Sequence, residues 1–484
     1  MQIEKILQSK GPMLSGALSK QLMKSPISAS NDRQMISRAS SPIEKLQLGF
    51  ENNQCFVYLA EHKGSGIYWK ALVDCMERHA KAYYAFINAV KYHNGFIKHD
   101  QLPAYTASPI LDLKGHMNAL NIIRDLLSCE ILYEQDDGVL HLNNRIIDVN
   151  NFARFKAIEI AKKQVINNFN NWAKNVNLVS YNAGKTLGDR PEFGKFQWGF
   201  SAPSYVNGIG ILRGRMMMPG FVIADILIGR EIELPYVDFF LKKIEILRRQ
   251  KNLSPFIPIL ICDSIENKTF KVLKEKNIFI GFIKELFGSE YLKALELLID
   301  TITNATKIIT SNPDKFIELM EKMSLLEGAY GNLKGDMFEF AVGYYYALKN
   351  KPIVIGKIVK SRSSNKNREI DVFVNSHNRL KIVECKGHNS QLSYDAMREW
   401  IYEIVPDIRG WILSQDEHRQ KELTFEIWSI SGFDKKALQL IEKASQNTKK
   451  YRIKFYDRSA IMLKAKANKN KKFLEIIEKY FRKT

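Results

Sequence analysis

The chain is 484 residues long, 45% hydrophobic and 26% charged, a globular composition too long for one core and divisible into units of roughly 100–200 residues. Its 72 lysines and arginines outnumber 52 aspartates and glutamates for a net charge of +20, and residues 331–484 alone hold 31 against 18; such an excess favours a polyanionic partner such as nucleic acid. No run reaches the ~18 apolar residues of a membrane span, since FVIADILIG is broken by Asp225, and Cys55, Cys75, Cys129, Cys262 and Cys385 form no C-x-x-C pair, which argues against a disulfide framework or a cysteine-rich zinc site.

The opening MQIEKILQSKGPML lacks an apolar core followed by a small-residue cleavage site, so a cytoplasmic protein is expected. Ile3, Ile6 and Leu7 share one helical face, Gly11-Pro12 breaks the chain, and Leu14, Leu18 and Leu22 form a second face. Ser28 or Ser30 caps a third helix that turns Ile36 and Ala39 inward and Arg33 and Arg38 outward. KLQLGF and QCFVYL then pair as strands around Glu51 to Asn53. Residues 1–65 thus resemble a winged helix, which implies a third helix in a DNA major groove with Arg33 and Arg38 on phosphates or guanines.

Residues 66–150 repeat the pattern. YWKALVDCMERHAKAYYAFINAVKYHNGFI reads as one long amphipathic helix closed at Asn94 and Gly95. HMNALNIIRDLLS follows as a helix with Leu120, Ile123 and Leu127 inward, and EILYEQDDGVLHLN as a hairpin turned at Asp137 and Gly138. This segment also resembles a winged helix, an α+β unit that serves protein as well as DNA contacts. From 151 to 325, a helix with Glu159 leads to the apolar runs FVIADILIG, PFIPILICD and NIFIGFI. Helical VDFFLKKIEILRRQ and KTFKVLKEK lie between them, the pattern of a covered sheet in an α/β layer. Helical connectors lead from there to residues 326–484.

In that last segment, REIDVFVNSHNRLKIVECKGH carries charges inside two runs that otherwise read as buried strands. Ile370, Val372 and Val374 alternate with Asp371 and Phe373, while Ile382, Glu384 and Lys386 share one face. A turn at NSHNR pairs Asn375 with Leu380, Phe373 with Ile382 and Asp371 with Glu384. Cross-strand neighbours lie ~4.5–5.5 Å apart at Cβ, and two carboxylates so placed repel unless a cation lies between them. Oxygen ligands suit Mg²⁺, with Mn²⁺ as a substitute. The bland alternative is a half-exposed hairpin in which Lys386 pairs with Glu384.

Asp371, then twelve residues, then Glu384-x-Lys386 resembles the signature of the PD-(D/E)XK, or restriction-endonuclease-like, superfamily. GNLKGDMFEFAVGYYYALKN resembles its first helix, with Glu339 in the place of the helix glutamate; FEIWSISGFDKKALQLIEKA and YRIKFYD resemble its closing strand, helix and strand. Ile370 stands where the family's name has proline. The resemblance covers residues 326–484 and implies an α/β/α core whose catalytic set is Glu339, Asp371, Glu384 and Lys386. It implies that Asp371, Glu384 and Glu339 hold Mg²⁺, that Lys386 positions or deprotonates the attacking water, and that Gln391 is a supporting contact at a helix start. His388 reads as a bystander. Lys360, Arg362, Lys366 and Arg368 lead into the first of the two strands and are expected on the DNA backbone, a solvated loop being the alternative.

The middle segment has the same outline but fails at E-x-K. Thirteen residues after Asp225 stands Asp238, two further on is Phe240, and Glu266 and Lys268 fall beyond the strand. It reads as a degenerate nuclease-like domain or as an unrelated α/β domain. The whole is expected to be an α/β multidomain protein, a metal-dependent DNA endonuclease of restriction or anti-phage defence. A homodimer is implied for double-strand cleavage, and, with no G-x-x-x-x-G-K-[ST] stretch, partner proteins for any ATP-driven step. The rivals are a DNA-binding scaffold or regulator with an inactive nuclease fold, a DNA-repair nuclease, and an RNA-processing nuclease.

Overall fold

The computed structural model describes residues 2–481 except 23–28, 135–137, 148–150, 214–215, 312–315, 319, 322, 325–333, 349–351, 362–366 and 388–389. Ser28, Asp137, Arg362, Lys366 and His388 therefore lie outside the described residues. The architecture is mixed α/β, with several separate sheets and no barrel among the described residues. The chain divides into two units: Met1–Glu134, Gly138–Asn151 and Val165–Leu286 form one, and Gln135–Asp137, Phe152–Gln164 and Phe287–Thr484 the other.

The first unit opens with helices Gln2–Lys10, Ser15–Leu22 and Ala29–Arg38, whose Ile3, Leu7, Leu18 and Ile36 close on Val57 and Leu59. Strand Phe56–Leu59 lies between Met13–Leu14 and Ile43–Leu46, antiparallel to both. Leu14 belongs to this sheet, not to the second helix, which starts at Ser15. The expected long helix is two, Gly66–His79 and Lys81–Tyr92, broken at Ala80 (φ −143°, ψ 55°). No Gly or Pro marks the break; it brings Leu72 and Met76 of one helix and Phe86 and Ile87 of the other into one core.

Asn94 and Gly95 follow at φ 61° and 87°, the left-handed ending expected there. Helix Ala119–Ser128 buries Ile122, Ile123 and Leu126 and leaves Leu120 exposed. Adjacent apolar pairs at 122–123 and 126–127 fit two overlapping stripes, and packing selects the one that does not contain Leu120. Strands Phe96–Lys98, Val139–Leu142 and Leu132–Glu134 complete a small antiparallel sheet.

A five-stranded sheet then forms from Lys185–Thr186 (β1), Phe200–Ser204 (β2), Gly220–Leu227 (β3), Phe256–Cys262 (β4) and Phe279–Phe282 (β5). β1, β2 and β3 are antiparallel neighbours, whereas β3, β4 and β5 run parallel, connected by helices Leu234–Arg248 and Asn267–Glu275. β3 is buried at every position except Phe221, as a strand covered on both faces must be.

The second unit includes the Phe152–Gln164 portion of helix Phe152–Asn175 (α1) and helix Lys334–Ala347 (α2). Its sheet is built from Ile353–Lys360 (β6), Asn367–Asn375 (β7), Arg379–Lys386 (β8), Glu422–Ser429 (β9) and Arg452–Tyr456 (β10), adjacent in that order. β6, β7 and β8 are antiparallel and β8, β9 and β10 parallel, the same order and sense as β1 to β5. Side chains alternate across β9: Phe425 and Ile427 join Met397, Trp400, Ile401 and Ile441, while Trp428 meets Tyr345 and Tyr346 of α2. Helices thus cover both faces.

The β7–β8 register pairs Asn375 with Leu380 and Phe373 with Ile382, as the turn predicts, but the ladder ends at Val372–Val383, so the expected Asp371–Glu384 pair lies just beyond its hydrogen-bonded part. The β6–β7 ladder passes over Gly356 and Asp371, and Gly356 takes a φ of 65° there. No helix among the described residues is long and apolar enough to cross a membrane.

Candidate metal centre

Asp371 sits where the β6 ladder is interrupted, 8% exposed, and its Oδ2 accepts the backbone N–H of Cys385 on β8 at 2.7 Å. Glu384 and Lys386 flank that residue on the opposite face of β8 and form an ion pair at 2.7 Å. Gly387 follows the strand where α2 begins. A Cβ on Gly387 would lie 2.7 Å from the Lys334 carbonyl oxygen and 2.7 Å from Phe338 Cβ, so glycine is what allows this approach. The helix thereby carries Glu339, in its second turn, to the acids of β7.

Glu339, Glu369 and Asp371 each offer an oxygen within 4.8 Å of the others. Glu369 precedes Asp371 by two residues, so strand alternation gives both the same side of β7. Lys156 of α1 closes the group, with Nζ 2.8 Å from Glu369 Oε1 and 3.3 Å from Glu339 Oε2. Burial, and then the charges of Glu384 and Glu339, hold the Asp371 carboxyl well above the usual carboxylate range. Burial also pushes Glu339 up to about 7 despite Lys156. Glu384 raises Lys386 above the ordinary lysine value against the effect of burial. Burial opposes the charge of Lys156 too, but Glu339 and Glu369 outweigh it.

Carboxylates held this close carry mutual repulsion that a cation relieves, and an all-oxygen donor set fits Mg²⁺ or Mn²⁺. Of the expected residues, Glu339 and Asp371 meet directly, with the Glu384–Lys386 pair next to Asp371. Glu369 and Lys156 were not expected. The period of two that grouped Glu384 with Lys386 also groups Glu369 with Asp371. Lys156 stands 183 residues from Glu339, and no local pattern marks it.

Arg368, expected on a DNA backbone, is instead 5% exposed. Its Nε and Nη2 donate to Asp407 Oδ2 at 2.9 and 2.7 Å, and Ser361 Oγ donates to Asp407 Oδ1 at 2.7 Å. Alternation turns Arg368 into the core, where it serves as a strut. Gln391 is exposed two residues before Ser393, which caps the next helix by accepting the Ala396 N–H at 3.3 Å. Arg38 is exposed in the last turn of its helix. Arg33 and Lys360 lie on described backbone, but their side chains fall outside the described residues.

In the middle sheet, Asp225 lies on β3, the third strand in order, where the other sheet has Glu384 and not Asp371. Its carboxylate is completely buried, with Oδ2 2.6 Å from Lys243 Nζ and Oδ1 accepting the Gly199 N–H at 2.7 Å. Lys243 Nζ also donates to the carbonyls of Ala104 at 2.7 Å and Gln197 at 3.0 Å. Burial pushes Asp225 up and Lys243 down, yet three acceptors for three ammonium hydrogens favour the charged pair. Asp238 and Phe240 lie on helix Leu234–Arg248, not on a strand, and Glu159 pairs with Lys162.

No family model matches the chain, and no curated protein matches it. Among solved structures, a protein of unknown function, AF1548, is 15% identical with a TM-score of 0.19 over 26% of this chain. Protein VC1899 from Vibrio cholerae is 10% identical with a TM-score of 0.16 over 46% of this chain. The matches span 59% and 50% of those chains' own lengths, and at these values neither likeness bears on fold or function.

Proposed function

We propose that residues 326–484 form a restriction-endonuclease-like domain that hydrolyses phosphodiester bonds in DNA with Mg²⁺. The observation that carries this reading is the meeting of Glu339, Glu369 and Asp371 within 4.8 Å beside the Glu384–Lys386 pair. Further support comes from α2 ahead of the β6 to β10 order, and from helices on both faces of that sheet. The like-ordered β1 to β5 sheet supports reading 151–325 as a degenerate copy, with a lysine where a metal would sit. The helix and strand orders of residues 1–65 and 66–150 are compatible with winged-helix units that hold the duplex, and exposed Arg38 is available for a phosphate.

Asp371, Glu369 and Glu339 would hold the ion, with Glu384, now paired with Lys386, as a further oxygen donor beside them. The bound ion supplies Lewis acidity and an activated water. Lys386 would bring its positive charge to the scissile phosphate and position or deprotonate the attacking water. Double-strand cleavage by one site per chain calls for a homodimer, and restriction or anti-phage defence suits a basic nuclease of this build.

A second reading, a DNA-binding scaffold with an inert nuclease fold, is favoured by one fact: Lys156 and Lys386 already pair with Glu339, Glu369 and Glu384. Plasmid DNA incubated with Mg²⁺, with EDTA, and with Glu384→Ala and Lys386→Ala proteins checked by circular dichroism separates the two. Metal-dependent nicking lost in both variants supports the nuclease. Tight DNA binding without cleavage of plasmid, phage or modified DNA supports the scaffold, and preferential cleavage of RNA reassigns the substrate.

A further inference from the structure

The contacts of Lys156 bear on how a metal enters this centre. A divalent ion ligated by Glu339 and Glu369 must lie ~2.1 Å from an oxygen of each. The Lys156 ammonium is already 2.8 and 3.3 Å from one oxygen of each. Two cations sharing that pair of oxygens would repel at short range in a poorly screened pocket. Lysine and metal therefore compete where the ion would use the same oxygens, Glu339 Oε2 and Glu369 Oε1.

The two lysine-bound acid sites of this protein differ in whether the lysine can leave. Lys243 is fully buried, and carbonyls and Asp225 accept all its donors. Lys156 keeps 28% of its side chain exposed, and its described bonds are to the two glutamates alone. Its four-carbon stem can carry the ammonium to water while the helix stays in place.

We propose that Lys156 is an internal counter-ion that occupies the Glu339–Glu369 side of the metal centre and withdraws when a divalent cation binds. This rests on reading these acids as a metal centre. The lysine keeps Glu339 and Glu369 together before metal arrives, and it sets the metal concentration at which the site fills.

The test is calorimetric titration of the full chain with Mn²⁺, comparing wild type, Lys156→Met and Asp371→Asn, with thermal melts in EDTA and in Mn²⁺. Lys156→Gln, which keeps a hydrogen-bond donor, replaces Lys156→Met if that variant does not fold. Without the competing ammonium, Mn²⁺ is expected to bind roughly tenfold tighter or more. The variant should melt below wild type in EDTA and gain more than wild type on adding Mn²⁺. Equal or weaker Mn²⁺ binding by the variant, with binding lost in Asp371→Asn, overturns the role of Lys156 and leaves the metal centre standing. Absence of Mn²⁺ binding in both wild type and variant overturns the metal centre and this role together.

Discussion

Glu339 holds its proton more tightly than an ordinary glutamate, because burial pushes its carboxyl from 4.5 up to about 7. Between those values the folded protein keeps a proton that the unfolded chain has released. The group's stabilising contribution is therefore full below pH 4.5 and lost as pH rises through about 7. The metal binding proposed for this centre would run the other way, since the ion requires the carboxylate, and Mn²⁺ affinity should rise over the same window. Melting curves in EDTA should show wild type losing ground to Glu339→Gln as pH is raised through about 7; curves that stay parallel would reject a raised Glu339. Arg368 is the second case at this scale. Arg368→Ala leaves Asp407 buried without its cation and should cost about 3–5 kcal/mol in urea unfolding. DNA affinity at fixed folded fraction should not change, whereas a fall would return Arg368 to the interface. Among single residues, the sequence made Asp371, Glu384 and Lys386 visible because strand alternation put charges where apolar side chains belong. It hid Lys156, whose partners are distant in the chain, and it misplaced Arg368, since a basic residue beside a strand reads as solvent-facing until a buried partner such as Asp407 is seen.

The elements were most legible where local chemistry left one choice. The β7–β8 register followed from the turn and from period two up to Val372–Val383, and the strand-length apolar runs FVIADILIG and PFIPILICD pointed to covered strands, which they form. They were least legible where two choices differ by packing alone, as at Ala80 or on the Leu120 helix, because no residue there forces the outcome. Gly387 is an element-scale feature that no local rule announces. Its hydrogen is what lets α2 begin against the end of β8, and α2 in turn delivers Glu339. Gly387→Ala should push the start of α2 away, costing about 1–3 kcal/mol of stability as overpacking does. It should weaken Mn²⁺ binding by more than that loss of folded protein explains. Calorimetry beside a denaturation curve decides this: normal metal affinity in the folded fraction would mean that Glu339 does not depend on the approach.

At the scale of the molecule, charge and sheet order carry the reading. A net +20 on the chain predicts DNA binding that weakens steeply with salt. Arg38→Ala, on an exposed helix end, should lower the slope of log affinity against log salt by about 1. Fluorescence anisotropy over a KCl series measures it, and an unchanged slope would remove Arg38 from the interface. The repeated strand order of the two sheets was visible in the sequence only as an outline, since Asp225 was expected to match Asp371 and instead stands on the third strand.

The difference between Lys243 and Lys156 also bears on how such a protein could change over generations. An acid whose countercharge is a fully enclosed lysine cannot be opened to a metal by losing that lysine alone, because the vacancy would leave Asp225 buried beside two orphaned carbonyls. A lysine still reaching water, as Lys156 does, can be replaced without burying an unpaired carboxylate among closed carbonyls.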